Sequence, residues 1–273
     1  MCTKGLSCSR GFSLAAAALA AVTCVGLAGA ASAGTLIYDP LTGSSTAELN
    51  GTTPPTDNTG LGSFEKWNEG EDTGSQHWMA NGTVIGSLNS TGGGALDVAG
   101  TAFLPSSGYI YTLSATLDPT SNTAGNNAQD GFVALGFVNS STTPFFKSPG
   151  PWMLEYGSGG SQWYPGPGNT IGLGSANITP NETAQIVLNT QGADWTASWF
   201  YNGTQLGSTY SYTGSSGSNP NPTGIQAIAI GVNGESATVH DVLLTQAVPE
   251  PAALGLLALG GLGLLLLKRR KAV

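Results

Sequence analysis

Charge is what this sequence has least of. Only 9% of its 273 residues are charged, against about 25% in an ordinary globular domain, so Ser, Thr, Asn and Gly must supply the polar surface. Cations are nearly absent from the middle: residues 34–247 hold Lys66 and Lys147 against fifteen Asp and Glu, a charge of −13. Binding to phosphate needs clustered Lys and Arg, which excludes nucleic acid as a partner of this region. Cysteine is equally scarce, with Cys2, Cys8 and Cys24 all inside the first 33 residues. The rest of the chain therefore has no disulfide, thiolate metal site or cysteine nucleophile. Two histidines, His77 and His240, leave a zinc site short of ligands. No Gly-x-Ser-x-Gly elbow or Gly-Lys-Ser/Thr phosphate loop occurs. The 41 glycines show no three-residue period, which excludes collagen.

The remaining cations mark the two ends. Lys4 and Arg10 precede an apolar run from Leu14 to Leu27, which closes on Ala31-Ser32-Ala33. Those are the three parts of a secretory signal peptide, with Ala31 and Ala33 forming the signal-peptidase site and Gly34 the first mature residue. An uncleaved anchor shares the hydropathy but does not call for the small-residue end. At the other terminus Val248-Pro249-Glu250-Pro251 leads into the uncharged stretch Ala252 to Leu267, followed by Lys268-Arg269-Arg270-Lys271. As a helix, residues 252–267 rise about 24 Å, a little short of the hydrocarbon core of a bilayer. The flanking Lys and Arg can reach the headgroups and make up the difference. The basic cluster sets this end in the cytoplasm and residues 34–247 outside. A plain tail anchor has the same hydropathy.

The Pro-Glu-Pro motif, apolar helix and basic cluster, in that order, resemble the PEP-CTERM sorting signal of exported bacterial proteins. The resemblance covers residues 248–271. It implies recognition near Pro249, Glu250 and Pro251 by an exosortase, a membrane-embedded processing enzyme, with Lys268, Arg269, Arg270 and Lys271 completing the signal. In that reading the chain is a substrate and supplies no catalytic residue. The resemblance also implies a bacterium that makes exopolysaccharide, anchoring in the membrane before processing, and a final place in the envelope, cell surface or extracellular matrix.

Between the signals, helical periodicity is nearly absent. Short alternating or apolar runs recur between turn clusters, and eleven of them read as strands: near 35–38, 78–88, 95–98, 109–117, 132–138, 152–156, 184–188, 195–201, 205–212, 224–232 and 237–244. This pattern predicts an all-β, antiparallel two-sheet sandwich over residues 34–247, with no fixed-period repeat to suggest a propeller. Asn202-Gly203 lies between two β-rich runs and predicts a type I′ hairpin. Period-two alternation then puts Trp195, Ala197, Trp199 and Tyr201 on one face, read as core, and Thr196, Ser198 and Phe200 on the other.

The runs at 109–117 (YIYTLSATL), 130–137 (DGFVALGF), 151–157 (PWMLEYG) and 195–207 resemble concanavalin A-like lectin and glucanase sandwiches, including laminin-G-like domains. This implies a jelly roll with one sheet often concave and able to hold sugars. Glucanases of that fold commonly carry Glu-x-Asp-x-x-Glu along one strand, giving the two carboxyl groups that glycoside hydrolysis needs. The pattern is missing here. Glu65, Glu69, Glu71 and Asp72 read as a solvated loop. Asp118, Asn122, Asn126, Asn127 and Asp130 could supply oxygen ligands to calcium, though Asn and Asp are also ordinary turn residues. For sugar binding, the aromatics placed outside strand interiors are Trp163 and Tyr164, in a stretch expected to be too rich in Gly and Pro to bury both, with Trp67 and Trp78. Three functions follow: a non-catalytic module that binds or adheres to polysaccharide, a structural matrix protein without a specific ligand, or a glycoside hydrolase. The missing carboxylate pattern favours the first two.

Overall fold

A computed structural model describes residues 33–61, 66–70, 76–86, 97–121, 131–140, 145–157, 160–167, 174–177, 181–213, 220–233 and 236–247. The signal peptide over 1–32, and the sorting signal over 248–273 with its expected helix at 252–267, lie outside them. Among the described residues no helix is long and apolar enough to cross a membrane.

The hairpin at Asn202-Gly203 forms as expected. Both residues have positive φ, 45° and 76°, which a type I′ turn requires. They join Thr196–Tyr201 to Thr204–Ser211 with Tyr201 opposite Thr204. Trp195, Ala197, Trp199 and Tyr201 are buried, while Thr196, Ser198 and Phe200 are only half-buried.

Strands are numbered along the chain. The first sheet contains β1 (Ala33–Asp39), β2 (Thr56–Asp57), β7 (Ile110–Ser121), β12 (Glu182–Asn189), β13 (Thr196–Tyr201), β14 (Thr204–Ser211) and β16 (Ser236–Ala247), in the order β14-β13-β12-β7-β16-β1-β2. The second contains β3 (Asn68–Glu69), β6 (Asp97–Ala102), β8 (Phe132–Val138), β9 (Trp152–Tyr156), β10 (Gly160–Tyr164), β11 (Gly174–Asn177) and β15 (Ala227–Asn233), in the order β11-β10-β9-β8-β15-β6-β3. A separate hairpin pairs β4 (Gln76–Trp78) with β5 (Val84–Gly86). All the pairings are antiparallel.

The two sheets pack through alternating apolar side chains. The first sheet sends in Tyr111, Leu113, Ala115 and Leu117 from β7 and Ala184, Ile186 and Leu188 from β12; the second sends in Val133, Leu135 and Phe137 from β8 and Ile228, Ile230 and Val232 from β15. Trp199 reaches across the layers, its indole N–H donating to the carbonyl of Trp152 at 3.1 Å.

The two outer faces differ in kind. On the first sheet Thr112, Ser114, Thr116, Gln185 and Ser198 look outward half-exposed and Thr183 exposed, all uncharged. On the second, the outward positions of β8 and β15 are buried as well, so these strands read as continuous apolar runs. Ala134, Val138, Ala227 and Ala229 form a second cluster there with Phe145, Trp152, Leu154 and Tyr164.

Two expectations about strands change. The run 78–88 is broken into β4 and β5 by a turn in which Gly82 has φ +75°; a Cβ there would collide with the carbonyl of Val239. The stretch around Trp163, expected as loop, contains β10, whose ladder with β9 pairs Trp163 with Met153 and Tyr164 with Trp152.

Candidate functional site

The four aromatics expected to face sugar lie in the core. Trp67 and Trp78 are 0% exposed, Trp163 4% and Tyr164 3%. The Trp67 indole N–H donates to Asp39 Oδ2 at 2.8 Å, and the Trp78 backbone N–H to Glu69 Oε1 at 2.7 Å. The Trp163 ring lies against Gly207, whose φ of +61° accompanies the irregular register between β13 and β14. Tyr164 stacks on Trp152 with centroids 4.0 Å apart and planes 11° from parallel. A sugar stacks on an open ring face, and none of these four offers one. The expectation of an exposed platform at these positions is corrected by their burial.

The outer face of the second sheet is closed in the same way. Gly136 leaves a gap in the face, and Phe145, on the 3-10 turn Phe145–Lys147, sits against it and 5.7 Å from the Trp152 ring. Gln162 accepts from the hydroxyls of Tyr156, at 3.1 Å, and Tyr164. Burial pushes the Tyr164 hydroxyl up to about 12, with the nearby Tyr156 adding to it. The outer face of this sheet is thus filled by the chain's own rings.

The carboxylates are dispersed. Glu155 is buried between the sheets, where its charge adds to the effect of burial in holding Tyr201 well above the usual tyrosine range. Glu69, expected in a solvated loop, is in β3 with its side chain only 7% exposed and His77 Nδ1 3.7 Å away. Glu65, Glu71 and Asp72 lie outside the described residues. So do Asn122, Asn126, Asn127 and Asp130 of the expected calcium loop, while Asp118 is in β7 opposite Thr238. Among the described residues no group of three or more His, Cys, Asp or Glu could hold a metal ion.

Open space occurs instead at an edge of the sandwich, in a cleft of about 430 Å³. That lies within the ~300–1,000 Å³ typical of small-molecule sites. Tyr210 and Tyr212, at the end of β14, meet Pro149, Pro165 and Pro167 from around β9 and β10, and Pro220, Pro222 and Thr223 from the segment before β15. Asn221 fastens that segment down, accepting from Trp195 N at 2.9 Å and donating to Ala193 O at 2.7 Å. Tyr212 donates its hydroxyl to Pro165 O at 2.5 Å and its backbone N–H to Trp195 O at 2.9 Å. Tyr210 stands edge-on to it, 79° between planes and 5.1 Å between centroids. Burial raises the hydroxyl pKa of both, Tyr212 much more than Tyr210. Among the described residues that line the cleft there is no carboxylate, lysine or histidine. The alternation over 205–212 predicts a strand through Tyr210 and Tyr212 and gives no sign of the cleft. Its one local signal was Pro220-Asn221-Pro222 close after a tyrosine pair. A smaller cavity of about 160 Å³ lies by Leu36, Tyr109 and Gln246.

In fold, the sandwich is similar to solved lectin and glucanase structures. The endo-1,3-beta-glucanase from Streptomyces sioyaensis superposes with a TM-score of 0.51 at 15% identity, over 80% of this chain and 97% of that one. A galectin-like protein of unknown function from Bacillus subtilis gives 0.46 at 12% identity, over 81% and 100%. The carbohydrate recognition domain of Emp47p gives 0.44 at 12%, over 75% and 94%. The glucanase likeness establishes the fold and nothing further. Residues 247–271 match the PEP-CTERM protein-sorting motif, so the chain carries an export-linked sorting signal. No curated protein matches it in sequence.

Proposed function

We propose that this protein is an exported, exosortase-processed component of the cell envelope or matrix whose sandwich is a non-catalytic carbohydrate-binding module. Exosortase acts near Pro249, Glu250 and Pro251, after signal peptidase has cut at Ala31-Ser32-Ala33, and the helix over 252–267 holds the chain in the membrane until then. The observation that supports the binding role is the cleft itself: a preformed space lined, among the described residues, by the rings of Tyr210 and Tyr212, proline faces and the Thr223 hydroxyl, with no carboxyl group. Pyranose rings present C–H faces that pack on such walls and hydroxyls that bond to such groups. Hydrolysis needs paired carboxyls about the scissile bond, and none of the described residues lining the cleft supplies one.

The test is a polysaccharide pull-down and glycan array with the full chain purified in detergent, beside Tyr210→Ala. Binding that Tyr210→Ala weakens at least tenfold, with no release of reducing ends, is expected. A folded protein that retains no glycan would replace this reading with that of a structural matrix protein, whose uncharged Thr- and Ser-rich outer sheet serves only to hold water. Release of reducing ends would make it a hydrolase.

A further inference from the structure

The chain leaves the sandwich at Ala247, the last residue of β16, which pairs with Ala33 of β1 and Ile110 of β7. Only Val248-Pro249-Glu250-Pro251 separates it from the uncharged stretch that begins at Ala252. Four residues span at most about 14 Å when fully extended. The headgroup zone on each side of a bilayer is itself about 5–8 Å deep. The end of the sandwich that holds Ala33, Ile110 and Ala247 is therefore tethered beside the lipid surface whenever residues 252–267 span the membrane.

That end carries apolar side chains in the open. Leu104, two residues beyond β6, is 55% exposed. It lines the cavity of about 160 Å³ together with Leu36, Tyr109 and Gln246, which sets it beside the exit of β16. Ser106 and Ser107, close after it, are exposed and uncharged. In the second sheet Ala227 of β15 pairs with both Ala102 and Val138, so the ends of β6 and β8 lie level. Just past β8 the Asn139 backbone N–H donates to Ser148 Oγ at 3.2 Å, fastening the turn that presents Phe146, 38% exposed, and Lys147. An exposed ring with a lysine amine 5.9 Å from its centroid suits the boundary between acyl chains and headgroups.

Ile85 is 48% exposed but lies at the opposite end, because its neighbour Thr83 bridges Thr238, which pairs with Asp118. Along β7, Asp118 is about 26 Å from Ile110.

Resting on the reading of residues 252–267 as the membrane anchor, we infer that this end of the sandwich docks on the outer surface of the bilayer until the sorting signal is cut. Leu104 enters among the acyl chains and Phe146 lies at the headgroup boundary. A single myristoyl chain binds membranes only marginally, so these side chains cannot hold a free domain there. On a four-residue tether the effective concentration of lipid is high enough to populate a weak contact. Cutting the tether removes that advantage, and the same cleavage lifts the sandwich off the surface.

The experiment uses the full chain, with Cys2, Cys8 and Cys24 changed to Ser, in phosphatidylcholine vesicles that contain lipid brominated on its acyl chains. A fluorophore is attached at Ser107→Cys or, as the control, at Ile85→Cys. Flotation with the vesicles reports anchoring, and quenching by bromine reports contact with acyl chains. Quenching is expected to be at least threefold stronger at position 107 than at position 85. Leu104→Asp, a change at an exposed side chain, should lower it to the level at 85 and leave the melting temperature in detergent unchanged. Equal quenching at the two positions overturns the inference and leaves the anchor standing. So does quenching at 107 that is indifferent to Leu104→Asp. A chain that fails to float with the vesicles overturns both together.

Discussion

Ala33 and Ala247 are Cα partners at the end of the β1–β16 ladder, followed by Gly34 with Gln246 and Thr35 with Thr245. The first of these residues is the expected signal-peptidase boundary, and the second is where the match to the sorting motif begins. The expected signal-peptidase site and the matched sorting motif therefore adjoin one piece of antiparallel sheet. Cutting after Ala33 should preserve the ladder from Gly34 onward, and peptide mass spectrometry of the exported protein should find Gly34 first. A mature N-terminus well inside β1 would contradict this, because it would strip β16 of a neighbour.

Ile37, fully buried on β1, fixes that strand to the core. Ile37→Ala should cost about 2–5 kcal/mol, read as a lowered urea midpoint. A change below 1 kcal/mol would mean that β1 contributes little to the fold.

Asp39 holds two donors at once: the Trp67 indole, through Oδ2 at 2.8 Å, and the Leu41 backbone N–H, through Oδ1 at 2.9 Å. Asp39→Ala leaves both buried groups without their acceptor, at about 1–3 kcal/mol each. Thermal unfolding of that variant beside Trp67→Phe gives the check. The second variant removes the indole donor as well as ring volume, so a double mutant should cost less than the two single changes added together.

Tyr201 behaves in the opposite sense, since its hydroxyl is buried with no hydrogen-bond partner. Tyr201→Phe removes a desolvated polar group at little change in shape, so stability should hold or rise. The pH profile supplies a second readout. In the fold Tyr164, Tyr201 and Tyr212 titrate above the value near 10 of an unfolded tyrosine. Their contribution is fully present below pH 10 and is lost as pH rises toward and through the raised folded values, because the unfolded chain releases these protons first. Denaturant midpoints should fall steeply above pH 10, and less steeply in Tyr201→Phe. An equally steep fall in that variant would exclude Tyr201 from the effect.

Gly136 is the point where the outer layer touches the sheet. A methyl group there would overlap the Cβ of Trp152 and crowd Phe145. Gly136→Ala should destabilise by about 1–3 kcal/mol through overpacking, and near-ultraviolet circular dichroism should register the disturbed Trp152–Tyr164 stack. An unaltered spectrum and melting temperature would mean that the layer yields easily.

How far the sequence could be read depended on how local the cause was. β8 and β9 have the bounds expected of them because an unbroken apolar run carries its own signal, and Asn202-Gly203 specifies its turn by backbone preference alone. β10 escaped because Gly160-Ser161-Gln162 resembles loop until β9 is beside it; its partner, and not its composition, makes it a strand. Trp163 and Tyr164 were misplaced for the same reason. The sorting signal was legible throughout, being a contiguous string addressed to another protein. The cleft was not, since Pro149, Pro165, Tyr210 and Pro222 share no neighbourhood in sequence and meet only when the edges of two sheets converge.

The five prolines of that cleft have a thermodynamic consequence. Each has its φ fixed near −65° before anything is bound, and the Asn221 and Tyr212 bonds hold their segments in register. In the proposed binding role, association would freeze little backbone, and most of the entropic cost would fall on the ligand. Calorimetry should record a small negative heat-capacity change, in keeping with a rigid receptor that closes over nothing.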